Sequence, residues 1–157
     1  MKKLVLIIII GSMVCLSGCG EGQSNNEKAK LYNDNEAIVE SYDSFNYLFR
    51  NSEGKNSEFE MNFKTFSGTD TIMEINSDGK EELTLTYNTK VNRGKLKLVF
   101  INPNNEFEII IEGEGNGDYT TTLESGKYRV KAVGKDAKGS LKIKADTDAN
   151  VRVNGEE

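Results

Sequence analysis

Polar and apolar positions change rhythm several times along these 157 residues. An unbroken apolar run, Leu4 to Ile10, stands near the start. From Gly20 to about Asn33 the chain is Ser, Asn, Gln, Glu and Lys with almost nothing apolar, a composition too polar to bury a core of its own. It predicts a flexible tether over 19–33. Ile38, Tyr42, Phe45 and Phe49 then recur at helical spacing behind Asn33 and Glu36, which are placed as a capping pair, so a short amphipathic helix is expected at about 35–50. Gly54 and the polar run Asn51 to Ser57 end it.

Beyond Glu58 the pattern becomes alternation: Phe59/Met61/Phe63, Leu83/Leu85/Tyr87, Leu96/Leu98/Phe100, Phe107/Ile109/Ile111, Tyr119/Thr121/Leu123, Tyr128/Val130/Ala132 and Leu141/Ile143/Ala145. Each set marks one face of a strand. Asp78-Gly79, Arg93-Gly94, Ser125-Gly126 and Lys138-Gly139 are placed as turns between them. Eight or nine strands without intervening helices predict an all-β fold, an antiparallel, jelly-roll-like β-sandwich preceded by one short helix, over 34–157. Across the turn Asn102-Pro103-Asn104-Asn105, a hairpin sets Phe100 opposite Phe107, Leu98 opposite Ile109 and Leu96 opposite Ile111, with Lys95 facing Glu112 outside. A second hairpin, turning at Lys135 to Lys138, pairs Val130 with Ile143 and Ala132 with Leu141 inside, but brings Arg129 against Lys144 and Lys131 against Lys142 outside. Three readings relieve that repulsion: an acidic neighbouring strand, placement of the two strands in different sheets, or a cationic patch for an anionic partner.

The start of the chain changes the picture most. Lys2 and Lys3, the apolar run, and Leu16-Ser17-Gly18-Cys19 together resemble a secretory leader ending in a bacterial lipobox. The resemblance implies cleavage after residue 18, a lipid on Cys19, and attachment to the outer face of the cell membrane. A retained transmembrane anchor is the other reading, but Leu4 to Leu16 falls short of the roughly 20 apolar residues a bilayer core requires. Losing Lys2 and Lys3 takes the net charge from −5 to −7, which argues against nucleic acid as a partner. Cys15 leaves with the leader and Cys19 is modified, so no disulfide is expected. The absence of histidine rules out Ser-His-Asp and Cys-His chemistry, and no cofactor is expected.

Four candidate sites remain. Lys127, Arg129, Lys131, Lys142 and Lys144 alternate with core positions and form a candidate anion-binding face, suited to an anionic envelope polymer. Asp146, Asp148 and Asn150, with Glu157 twelfth in line, have calcium-loop spacing, yet Val151 stands where a glycine should turn the loop and no helices flank it; a plain turn before a short strand Val151 to Val153 is the other reading. Gly113 to Asp118 reads as a hairpin loop. Glu106 and Glu108, two apart on one strand face, are the pair a carboxylate-based hydrolase would use.

The stretch from Phe66-Ser67-Gly68 through Tyr87-Asn88, Ile101-Asn102-Pro103, Gly126-Lys127-Tyr128 and Ala137-Lys138-Gly139-Ser140-Leu141 is similar to small Gram-positive lipoproteins whose sandwich resembles the prepeptidase C-terminal domain. That resemblance implies a non-catalytic accessory module. The expectation from sequence is therefore a membrane-anchored, extracytoplasmic binding module acting on an envelope ligand or a partner protein. A glycan- or cell-wall-binding module is the alternative and a hydrolase the third reading.

Overall fold

The computed structural model describes residues 21–154, with side chains from Asn25 onward. The leader over 1–18, Cys19 and Glu157 lie outside the described residues. Helix α1 (Glu21–Lys30) leads through a single 3-10 turn (Leu31–Asn33) into α2 (Asn35–Val39). Eight strands follow: β1 (Ser44–Asn46), β2 (Phe49–Lys55), β3 (Glu58–Ser77), β4 (Glu81–Ile101), β5 (Phe107–Glu112), β6 (Gly115–Leu123), β7 (Gly126–Asp146) and β8 (Asn150–Val153). All belong to one antiparallel sheet, ordered β1-β3-β7-β4-β5, with β2 and β8 also on β3 and β6 also on β4.

The all-β class holds, and the sandwich is made by creasing that one sheet. Strands β3, β4 and β7 are 20, 21 and 21 residues long and run through both layers. In the first layer β2 and β6 flank the Phe59, Leu85 and Ile143 stretches; in the second, β8 and β5 flank the Ile75, Leu98 and Val130 stretches. The crease follows residues with left-handed backbone: Thr65 and Gly68 on β3 (φ 52 and 115), Gly94 on β4 (φ 74) and Asp136 on β7 (φ 49). These are where the register shifts, as β-bulges bend a strand and strengthen its twist. One apolar core from Phe59 to Val153 fills the space between the layers, and Phe100 of the second layer meets Tyr119 of the first at 5.4 Å between ring centroids.

Several expectations from sequence are corrected by this arrangement. Arg93-Gly94 and Lys138-Gly139 are bends inside β4 and β7, so the proposed hairpin at Lys135 to Lys138 does not exist. A cross-strand Cβ on Gly134 would stand 2.3 Å from the Phe66 ring; the close approach at the crease, and not a turn, is what requires glycine there. The hairpin after Ile101 exists, but one residue out: Phe100 faces Glu108, Ile101 faces Phe107, and after a bulge Lys97 faces Glu112. Asn102 closes that turn, its side-chain oxygen accepting from the Asn104 and Glu106 amides at 2.9 and 3.0 Å, while Asn105 takes a left-handed φ of 59°. The loop therefore has three residues instead of four, and Ile109 faces solvent at 48 % exposure.

The helical segment is also different. Asp34, not Asn33, caps α2, accepting from the Ala37 amide at 3.0 Å, and the helix stops at Val39. Phe45 and Phe49 lie in strands, opposite Gly68 and Lys64 of β3. Pairing to a long sheet edge outweighs a helical pattern built on aromatic residues of modest helix propensity. The expected tether is α1 and the 3-10 turn: Ala29 and Tyr32 are buried, and Tyr32, Ile38 and Val39 cover Val99, Ile101 and Val133 on the outside of the second layer. Two-sided burial explains why Leu96 to Ile101 and Tyr128 to Gly134 are buried at every position.

Candidate functional site

The five cations expected to share an open face are divided among three environments. Lys127 pairs with Glu74 at 2.7 Å, and Lys142 with Glu58 at 2.5 Å and Glu60 at 3.8 Å, all acids of strand β3; with β7 unbroken, Arg129 and Lys131 do not face Lys144 and Lys142, and the expected repulsion does not arise. Lys144 stays exposed beside Lys142 in a shallow groove of about 470 Å³ over Tyr87 and Asp118. Arg129 and Lys131 are buried beneath the N-terminal segment. The anion-binding face is thus not assembled, because two of its members are covered and two are paired.

What Arg129 and Lys131 do is cap α2. Arg129 donates to the Glu40 and Val39 carbonyls at 2.5 and 2.8 Å and to Asn105 Oδ1 at 2.9 Å. Lys131 donates to the Glu40 and Tyr42 carbonyls at 2.7 and 3.2 Å, and its Nζ lies 3.3 Å from the Asp43 carboxylate. Cations at a helix C-terminus satisfy carbonyls that have no partner within the helix. Burial holds the Lys131 ammonium below its ordinary pKa, while Asp43 opposes that shift.

A second buried charge sits alongside. Asp70, fully buried on β3, accepts from the Tyr47 hydroxyl at 2.7 Å and faces Arg50 at 3.3 Å. Burial raises the Asp70 pKa, against the lowering effects of Tyr47 and Arg50; burial, then the Asp70 charge, raises Tyr47 far above the ordinary phenol value. Asp43 accepts from the amide and hydroxyl of Thr71 at 2.9 and 2.8 Å and so joins the two charges. A cavity of about 310 Å³ opens between Asp43, Arg152 and Asn154. Perturbed ionisable groups mark functional sites in many proteins, but each of these finds a partner across the seam between residues 39–50 and the sheet. Their evident work is to clamp that segment. The signal in the sequence was Asp70 itself, a carboxylate at a core position of the Phe66 to Ile75 stretch.

A groove lies at the mouth of the sandwich, between β5 of one layer and β6 of the other. It measures about 350 Å³. Phe100 and Tyr128, stacked at 5.4 Å and 15°, form its floor; Phe107 and Tyr119 stand at its sides; Glu106, Glu108 and Asn102 line its rim. Tyr128 is fixed by its own turn, accepting from the Glu124 amide at 2.8 Å. The Tyr119 hydroxyl donates to Glu108 at 2.8 Å, and its pKa is pushed up to about 12, by burial first and Glu108 second. Glu106 accepts from Asn102 Nδ2 at 2.8 Å. The pair singled out in the sequence thus reaches one groove, and both carboxylates are exposed. Sequence reasoning missed Tyr119, whose place opposite Phe100 depends on how the layers meet.

Asp146 to Asn150 is the turn between β7 and β8, with the Ala149 amide donating to Thr147 Oγ1 at 3.3 Å. Among the described residues no group of three or more His, Cys, Asp or Glu is placed to hold a metal ion. Among them, too, no helix is long and apolar enough to cross a membrane. No protein-family model matches this chain, and the search of curated proteins finds no match for it.

Proposed function

We propose that this protein is a lipid-anchored, extracytoplasmic binding module, with its ligand seated in the groove between β5 and β6. The anchor reading rests on Leu16-Ser17-Gly18-Cys19 behind a short apolar leader. The observation that carries the binding reading is the groove itself. An aromatic floor ringed by a few fixed polar groups is the usual composition of a small-ligand site. The polar groups suit holding a ligand better than transforming it: Glu106 and Glu108 are exposed, whereas a general acid in glycoside hydrolysis requires a sheltered, protonated carboxyl.

A glycan ligand is the second reading, favoured by the ring of Tyr119 beside acceptor oxygens of Glu106 and Glu108, since sugars offer apolar ring faces and hydroxyl donors together. Binding of the detergent-solubilised protein to envelope polysaccharides, compared with Tyr119→Ala, tests both. Binding lost in the variant supports the groove and a glycan; binding retained moves the site elsewhere; turnover of a glycoside revives the hydrolase.

A further inference from the structure

We infer that the segment Tyr42–Phe49 is a second membrane contact, lying in the interface of the bilayer that holds the lipid on Cys19. This inference rests on the anchor reading above.

Five large apolar side chains are exposed among the described residues, and four of them fall in this segment: Tyr42 at 63 %, Phe45 at 40 %, Leu48 at 75 % and Phe49 at 47 %. Exposed apolar residues concentrated in one place mark a contact surface, where scattered ones need no explanation. The exposed cation beside them suits a lipid surface. Exposed Lys64 stands with its Nζ 5.5 Å from the Phe49 ring centre, while the Arg50 guanidinium, 6.0 Å from Phe45 and 5.5 Å from Tyr47, is turned inward to Asp70. Aromatic rings with long cationic side chains that reach from apolar surface to headgroups are the composition of membrane interfaces. Two acids beside the segment are occupied, Asp70 by Tyr47 and Arg50, Asp43 by Lys131 and Thr71, while Glu40 is exposed two residues before Tyr42.

Helix α1, which follows the lipobox cysteine in sequence, is docked on the same part of the sheet. Lys28 donates to Ser44 Oγ at 2.6 Å, and Asn25 Nδ2 bonds Asp136, whose amide donates to Ser67, the β3 partner of Asn46. From Lys28 to Asn25, α1 therefore crosses from β1 over β3 to β7, docked beside Ser44 at one end of the segment. Glu21 lies about 6 Å beyond Asn25 at helical rise, and Cys19, two residues earlier, is within about 7 Å of it at full extension. A docked helix in place of a tether leaves the domain no distance to stand off. On so short a connection the lipid and the apolar segment enter one bilayer and fix the domain's orientation.

The chain has no tryptophan, so Leu48→Trp gives a single emitter. The mature protein carrying Leu48→Trp is reconstituted into vesicles of mixed neutral and anionic phospholipid with brominated acyl chains, and Lys80→Trp, at the exposed β3–β4 turn, serves as the comparison. The expected result is a blue shift and loss of emission at position 48 and neither at position 80. Unshifted emission at 48, or equal quenching at both positions, overturns the inference. A blue shift without quenching, together with dimers in sedimentation equilibrium, also overturns it and assigns the segment to a second copy of the chain. The intact mass of the same preparation separates the two claims. If Cys19 carries no lipid, the anchor reading fails, and quenching at 48 in the unlipidated protein added to vesicles still supports the contact, whereas its absence ends both.

Discussion

Lys131 has no solvent exposure, and its ammonium lies 3.3 Å from the carboxylate of Asp43, a residue 88 positions earlier in the chain. The contact joins the middle of the sheet to the stretch between α2 and β1, where Arg129, Lys131 and Thr71 also bond Glu40, Tyr42 and Asp43. Removing the Asp43 charge leaves the buried Lys131 ammonium with only the Glu40 and Tyr42 carbonyls. Asp43→Asn should cost about 1–3 kcal/mol in urea unfolding. Adding Lys131→Met should recover part of that loss, because the stranded charge goes with it. Strictly additive losses in the double-mutant cycle would show that the two side chains are not coupled.

The corrected hairpin register gives a sharp pair of outcomes. Leu98, fully buried on β4, should cost about 2–5 kcal/mol on substitution by alanine. Ile109→Ala, at a position 48 % exposed, should change stability by no more than about 0.5 kcal/mol. Denaturant midpoints settle the order. A large loss at Ile109 would restore the four-residue loop and the register that goes with it.

Much of this fold is legible in the sequence because burial on one face leaves a period of two. Phe59, Leu85, Leu98, Val130 and Ile143 were all placed inward by alternation alone, and all are core. What alternation cannot show is where a strand stops. Gly94 and Gly139 look like turn residues, yet they allow long strands to crease or pack closely, and the distinction lies in which strands run alongside. The run Leu98-Val99-Phe100-Ile101 did carry a sign that a second face was covered, and the cover is Tyr32, from a stretch whose polarity suggested a tether, and Ile38, from the expected helix. Of the candidate groove, Glu106 and Glu108 were visible as a pair. Tyr119 was not, since its contact with Phe100 joins residues of different layers.

Alkaline pH should destabilise the protein through its tyrosines. Tyr32, Tyr47 and Tyr119 all have raised pKa values, burial being the first cause in each. A raised phenol keeps its proton in the folded state after the unfolded chain has lost it. Its contribution is therefore whole below about pH 10 and declines as pH rises toward the folded value. Lys97 and Lys131, lowered by burial, act with the opposite sign in the window just below about 10.4, the ordinary lysine value. The tyrosinate absorbance difference between the native protein and Tyr119→Phe isolates one titration, expected at about 12. Glu108→Gln should move it down. A Tyr119 titrating at the ordinary value in both proteins would mean that the groove is open and its hydrogen bond to Glu108 absent.

The central claim is that this chain is held at the membrane through Cys19. The other cysteine, Cys15, lies within the expected leader, so the mature chain has a single thiol to modify. Metabolic labelling with a radioactive fatty acid, in cells expressing the native chain or Cys19→Ala, measures this directly. The account predicts label on the native protein, none on the variant, and loss of the variant from the membrane fraction. Equal label on both, or none on either, would contradict it.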